Sequence, residues 1–329
     1  MTPPLNLVRM PASARRLPRR RHGLATAAGL LAGAAIDQLA GDPRRGHPVA
    51  LFGAAAGRLE DRMWRDDRAA GALYCALLVA GAAALGLPAR RLPGRWLATV
   101  TALGTWTVLG SRSLTAEADA VAACLRRGDL PAARTQLTHL VGRRTDSLDE
   151  AEIARATVES LAENTSDAVV APLLWGALAG LPGLLGYRAV NTLDAMVGHH
   201  SPRYENFGWA AARADDAANY LPARLTAVLT AVVAPLASGS GPGALATALA
   251  DGHRHPSPNA GVAEAAFAGA LGLRLGGHND YGSHVEERPA LGRDGRPPGS
   301  ADIARAARLS RAVSYAAAAV AAAVAVARG

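Results

Sequence analysis

Three carboxylates, Glu159, Glu163 and Asp167, stand four residues apart in the stretch ESLAENTSDAVV. In a helix each step of four turns the side chain only ~40° past a full circle, so the three line one face. Like charges at that spacing repel and weaken a helix. A sequence that keeps three in a row is expected to hold a cation among them. Hard oxygen ligands suit Mg²⁺, which is typically held by one or two carboxylates plus substrate phosphates. Glu163 and Asp167 are the expected metal ligands. The plainer alternative is an acidic face paired to Arg155 and other arginines.

Two further clusters repeat carboxylate, asparagine and arginine. YRAVNTLDAMVGH places Arg188, Asn191 and Asp194 at i, i+3, i+6, and RADDAANYLPAR follows with Arg213, Asp215, Asp216, Asn219 and Arg224. Arg213 with Asp216 alone could be a helical ion pair, worth only a few tenths of a kcal/mol. The loop GDPRRGHPV carries Arg44, Arg45 and His47. Guanidinium forks match phosphate and carboxylate geometry, although a basic turn flanking a membrane would look similar. HRHPSPNAG offers His255, Ser257 and Asn259 on a proline-stiffened loop, and RLGGHNDYGSHVEERP adds Gly276, Gly277, Asn279 and Tyr281. The candidate set is therefore Glu163, Asp167, Asp194 and Asp216 for metal or proton work. Arg44, His47, Asn164, Arg188, Asn191, Arg213, Asn219, His255 and Asn259 are the candidates for substrate contacts.

Several chemistries are excluded. Lysine is absent, which removes a Schiff-base lysine and a Walker A phosphate loop. There is no nucleophile elbow and no zinc-type histidine spacing. The two cysteines, Cys75 and Cys124, form neither a metal pattern nor a disulfide framework. The net charge of +8 comes partly from arginines near the N-terminus. With 4% aromatic residues and long apolar runs, that charge points to a membrane surface rather than nucleic acid.

The elements that must position these residues are helices in a bilayer. Half of the 329 residues are hydrophobic, with alanine and glycine dominant, the bias of closely packed membrane helices. Residues 1–22 are expected to be a disordered Arg/Pro-rich extension and 23–329 a single membrane-embedded catalytic domain. Gly23–Ile36 reads as a short membrane or re-entrant segment, and Ala69–Ala89 as a span of ~20 residues. Trp96–Ser111, Ala168–Tyr187 and Leu225–Ala237 read as further spans, and Ala312–Ala327 as a last span or a soluble helix. The fold class is all-α and polytopic, with about four to five membrane helices. Two water-exposed regions separate them, at about 112–165 and 239–310. The second should be a structured loop plus a short helix. The acidic helix should begin with a capping box of Ser147 and Glu150.

DQLAGDPRRGHPV, the stretch from Val141 to His199, RYENFGWAAARADDAANYLPARLTA, HPSPNAGVAEAAFAGALGLRLGG and YGSHVEERPALG occur in that order. Together they resemble the membrane-bound adenosylcobinamide-phosphate synthases of cobalamin biosynthesis, also called cobyric acid–aminopropanol ligases. The likeness covers most of residues 36–295. It implies ATP-dependent amide formation between adenosylcobyric acid and aminopropanol or its O-phosphate. ATP is then the co-substrate, Mg²⁺ the cofactor, and the corrinoid, the amine, membrane lipid and other enzymes of the pathway the expected partners. It also implies a multi-pass protein of the cell membrane. A transporter with intramembrane carboxylates, or a non-catalytic scaffold, would be the readings from other classes. Transport would place charges in the centres of spans, and here they sit at the ends.

Overall fold

The protein's structure, a computed structural model, describes residues 12–42, 46–199, 201–282 and 285–329. Among them the chain runs through α1 (Ala12–Ala40), α2 (Pro48–Met63), α3 (Arg68–Gly86), α4 (Gly94–Val108), α5 (Ser111–Arg126) and α6 (Leu130–Leu137). It continues through α7 (Glu150–Thr165), α8 (Ala171–Ala179), α9 (Leu181–Leu193), α10 (Trp209–Val233), α11 (Gly241–Asp251) and α12 (Ala260–Leu271). A hairpin of β1 (Leu275–Asp280) and β2 (Val285–Leu291) precedes α13 (Ser300–Arg328). Two π-helical turns interrupt the pattern, Ser166–Val170 after α7 and Asp194–Gly198 after α9.

Among the described residues, four helical stretches are long and apolar enough to cross a membrane: Arg20–Ala40, Arg68–Arg91, Trp209–Ala237 and Ser300–Arg328. The protein is thus an all-α polytopic membrane protein, with one small hairpin added. Small residues let its helices meet closely. A Cβ placed on Gly33 of α1 would lie 2.5 Å from the Ala102 carbonyl oxygen of α4, and one on Gly29 would lie 2.6 Å from Thr101 Cβ. This is the small-xxx-small packing of membrane helices. The main core gathers Ile153, Leu161, Leu173, Phe267, Leu309 and Val313 from α7, α8, α12 and α13.

α13 gives the bundle a ruler. Ser310 Oγ lies 2.6 Å from Thr165 Oγ1 at the end of α7, Ser314 Oγ accepts from Ser111 Oγ, and Ala325 meets Gly23. At about 1.5 Å per residue, Ser310 to Ala325 spans roughly 22 Å. Through that layer run α1, α4, α8 and α9, with α3 packed on α9.

Several expectations are corrected. Ala168–Tyr187 is not one span. α8 ends at Gly180, whose φ of +69° is open to glycine, and Pro182 starts the reverse helix α9; the two form an antiparallel pair. α4 covers roughly 22 Å, short of the ~30 Å hydrocarbon core, so Trp96–Ser111 is not among the long spans. Leu225–Ala237 is the end of the longer α10 with a 3-10 turn, and Ala312–Ala327 lies inside α13. The N-terminal extension is helical from Ala12, because its Ala, Arg and Leu residues favour helix and continue into α1. The capping box is Asp149 with Glu152, not Ser147 with Glu150. The region 239–310 holds α11, α12, the hairpin and the start of α13. In the hairpin, Gly277 pairs with Arg288 and Asn279 with Glu286.

Candidate active site

α7 is fixed to the hairpin through one carboxylate. Glu159, 3% exposed, accepts Arg143 Nη2 at 2.8 Å, Arg155 Nη1 at 3.1 Å and the Gly276 amide at 2.9 Å. Arg143 also donates to Asn279 Oδ1, and Arg155 Nη2 to the His278 carbonyl at 2.8 Å. Burial pushes the Glu159 carboxyl up, but Arg143 and Arg155 outweigh it and hold it below the usual carboxylate range. The first member of the acidic stripe is therefore satisfied by arginine, as the plainer alternative had it. Arg143 did not stand out in the sequence, whereas the hairpin partners Gly276 and Asn279 did, as part of RLGGHNDYGSHVEERP.

One turn on, Glu163 is half-buried. It lines a cavity of about 120 Å³ with Arg143, Ser160, Tyr281 and Arg288. Burial raises its carboxyl, the Arg288 charge opposes that, and Glu159 and Asp215 add to it. Asn164 turns back on its own helix, donating to the Ser160 carbonyl at 3.0 Å.

The two π turns bring the remaining aspartates together. Asp167 sits on the first and Asp194 on the second. Each extra-wide turn re-aims the chain, a geometry frequent at functional sites. The Tyr187 hydroxyl ties the first turn to α10, lying 2.9 Å from the Asp167 carbonyl oxygen and 2.7 Å from Asn219 Oδ1. Asn219 Nδ2 donates to Asp215 Oδ2 at 2.8 Å, Asn191 Nδ2 lies 3.5 Å from Asp215 Oδ1, and Arg188 Nη1 lies 3.3 Å from Asn191 Oδ1. A Cβ on Gly198 would fall 1.9 Å from Asp194 Oδ1, so a side chain there would displace that carboxylate. Burial raises the Asp167 carboxyl well above its ordinary value, and the Asp215, Glu163 and Asp194 charges add to this. Burial, with Asp215, Asp216 and Glu163, lifts Asp194 to about 7.

Glu163, Asp167, Asp194, Arg188, Asn191 and Asn219 thus share one site, joined by Asp215, which holds both asparagines and had no assigned role. Asp216 and Arg213 stand on its flank, 3.6 Å apart. Asn259 docks there by donating to the Asp216 carbonyl at 2.8 Å and accepting from Arg224 Nη1 at 2.8 Å. His255 faces the Glu163 side of the site: its Nε2 is 4.0 Å from Glu264 Oε1, and Arg288 Nη1, which lines the Glu163 cavity, is 3.9 Å from the same oxygen. Glu264 is fully buried in the apolar α12. A lone carboxylate in AGVAEAAFAGAL was the signal that could have found it. His47 caps α2, its Nδ1 accepting the Val49 amide at 3.2 Å. Arg44 lies outside the described residues. Among the described residues, no three or more His, Cys, Asp or Glu side chains form a ready metal cage.

A family model described as CobD/Cbib protein matches residues 30–310. The chain belongs to the CobD/Cbib family. It is 53% identical over 296 residues to a cobalamin biosynthesis protein CobD of Mycobacterium tuberculosis, covering 90% of this chain and 94% of that protein. A Geobacter metallireducens protein of the same name is 47% identical over 268 residues, 78% of this chain and 83% of the other. One from Rhodobacter capsulatus is 43% identical over 274 residues, 82% and 86% respectively. No solved structure matches. The resemblance drawn from the motifs holds, and it places the chain in cobalamin biosynthesis.

Proposed function

We propose that the protein forms the amide bond between adenosylcobyric acid and (R)-1-aminopropan-2-ol or its O-phosphate, using ATP. The observation that carries this reading is the meeting of Glu163, Asp167, Asp194 and Asp215 at one half-buried site, with Arg143 and Arg288 lining the cavity beside Glu163. A carboxylate is a poor acylating agent, so the corrin propionate must first be activated. One propionate oxygen takes the γ-phosphoryl group and ADP departs. The amine then attacks the carbonyl carbon, and phosphate leaves as the C–N bond forms.

The chain's own groups fit these needs. Glu163 and Asp167 offer hard oxygen ligands, and phosphates would complete the set. Mg²⁺ bound there would neutralise phosphate charge during transfer. Arg143 and Arg288 are placed to bind anionic oxygens, with Arg188 doing so on the aspartate side. Asp194, poised near neutrality, takes the proton that the substrate ammonium must lose. The site would face the cytoplasm of the cell membrane, where ATP is found.

The test is to incubate membranes containing the protein with adenosylcobyric acid, aminopropanol phosphate and Mg-ATP. A product with the mass of adenosylcobinamide phosphate, and stoichiometric ADP, is expected. Corrinoid uptake into vesicles with no amide product would overturn the reading in favour of transport.

A further inference from the structure

The end of the bundle remote from the aspartates has its own character. There residues 22–26 of α1, the 3-10 turn Leu87–Arg91, the start of α4, the Gly180 bend and the last turn of α13 surround a cavity of about 690 Å³. His22 Nε2 lies 3.3 Å from the Arg90 carbonyl, and Gly23 packs directly on the Ala325 carbonyl and Gly329. Leu97, Leu181 and Pro182 line the interior, with Arg90 and Arg328 at the mouth. Arg20, Arg21, Arg91 and Arg95 surround it and are exposed. All 27 acidic residues of the chain lie outside the segments 20–26, 85–104, 175–186 and 318–329 that build this end. Exposed Leu85, Leu87 and Trp96 sit among the arginines, with the Arg95 guanidinium 5.7 Å from the Trp96 ring centre. Arginine, tryptophan and leucine so mixed are the composition of a membrane interface.

We propose that this cavity is a binding site for an anionic phospholipid. The phosphate lies between Arg90 and Arg328, and an acyl chain follows Leu97, Leu181 and Pro182. Among the described residues neither Arg90 nor Arg328 has an Asp or Glu partner, and such guanidinium forks suit phosphate oxygens. The apolar interior selects a lipid over a free anion, since inorganic phosphate gains nothing from Leu97 or Leu181. The charge selects an acidic headgroup over a zwitterionic one. This site is independent of the ligase reading, because the layer of helices separates it from Asp167 and Asp194.

The experiment uses the full chain, delipidated in detergent. Retention of phosphatidylglycerol, phosphatidylcholine and inorganic phosphate is compared by native mass spectrometry and thermal unfolding. Phosphatidylglycerol is expected to be retained at least fivefold more than phosphatidylcholine and to raise the unfolding temperature, with inorganic phosphate doing neither. Arg90→Gln/Arg328→Gln should lose that preference, while Arg58→Gln/Arg126→Gln keeps it. Equal retention of the two lipids by the unaltered protein would overturn the proposal, whether or not the variants fold. So would an equal response to inorganic phosphate, or an unchanged preference in Arg90→Gln/Arg328→Gln.

Discussion

Arg143 and Glu159 form an ion pair 2.8 Å long whose side chains are 5% and 4% exposed. Removing one partner of such a pair strands the other charge, at a cost of about 3–5 kcal/mol. Glu159→Gln and Arg143→Gln should each lower the unfolding temperature strongly, followed by thermal melts in detergent. Arg143→Met/Glu159→Leu should recover part of the loss. If Glu159→Gln melts like the unaltered protein, the pair does not hold the hairpin to α7.

Glu163 and Asp167 should be separable from the scaffold. Asp167→Asn and Glu163→Gln are nearly isosteric, so membrane levels should stay normal while turnover falls at least a hundredfold. Raised Mg²⁺ should restore part of it. Glu152→Gln keeps an oxygen for the Asp149 amide and should behave as wild type. Full activity of Asp167→Asn at low Mg²⁺ would remove the metal assignment.

Asp194 should give opposite pH trends in rate and stability. As a base it must be deprotonated, so turnover should rise with pH through about 7. Its folded pKa lies above its unfolded value of 3.8, so between those values the folded state binds more protons. Stability from this group is full below about 4 and is lost as pH rises through about 7. Asp194→Asn should flatten both trends. A rate profile in that variant that still climbs through 7 would assign the proton to another group.

Gly33 should not tolerate a side chain. Gly33→Val would force apart α1 and α4, and the yield of monodisperse protein by size-exclusion chromatography should fall severalfold. At Gly57 of α2 nothing lies within 4 Å of a Cβ, so Gly57→Ala should be neutral or gain up to ~1 kcal/mol. Equal yields for Gly33→Val and Gly57→Ala would contradict the close crossing.

The composition announced helices in a membrane, and the carboxylate–asparagine–arginine stretches announced the site. Those signals are local. What joined them was not. Arg143 reaches Glu159 and Asn279 across separate parts of the chain, and an arginine in a loop carries no mark of its distant partner. The π turns were hidden because helical spacing predicts Asp167 and Asp194 without telling that the helix widens there. The uncharged run from Ala168 looked like a span because hydropathy counts residues and overlooks Gly180. Glu264 was legible in principle, as a single acid in an alanine-rich helix, but its neighbours His255 and Arg288 come from other segments.

The Gly180 bend also settles a matter of parity. α8 leaves the first π turn, reverses at Gly180, and α9 returns to the second, with the Tyr187 hydroxyl 2.9 Å from the Asp167 carbonyl. The segment therefore adds no net crossing. Asp167 and Asp194 share one compartment whichever way the bundle is inserted, and a reversal of the whole protein would move both together. Sidedness measured at either aspartate is sidedness for the pair, while a tag near Gly180 reports the other end.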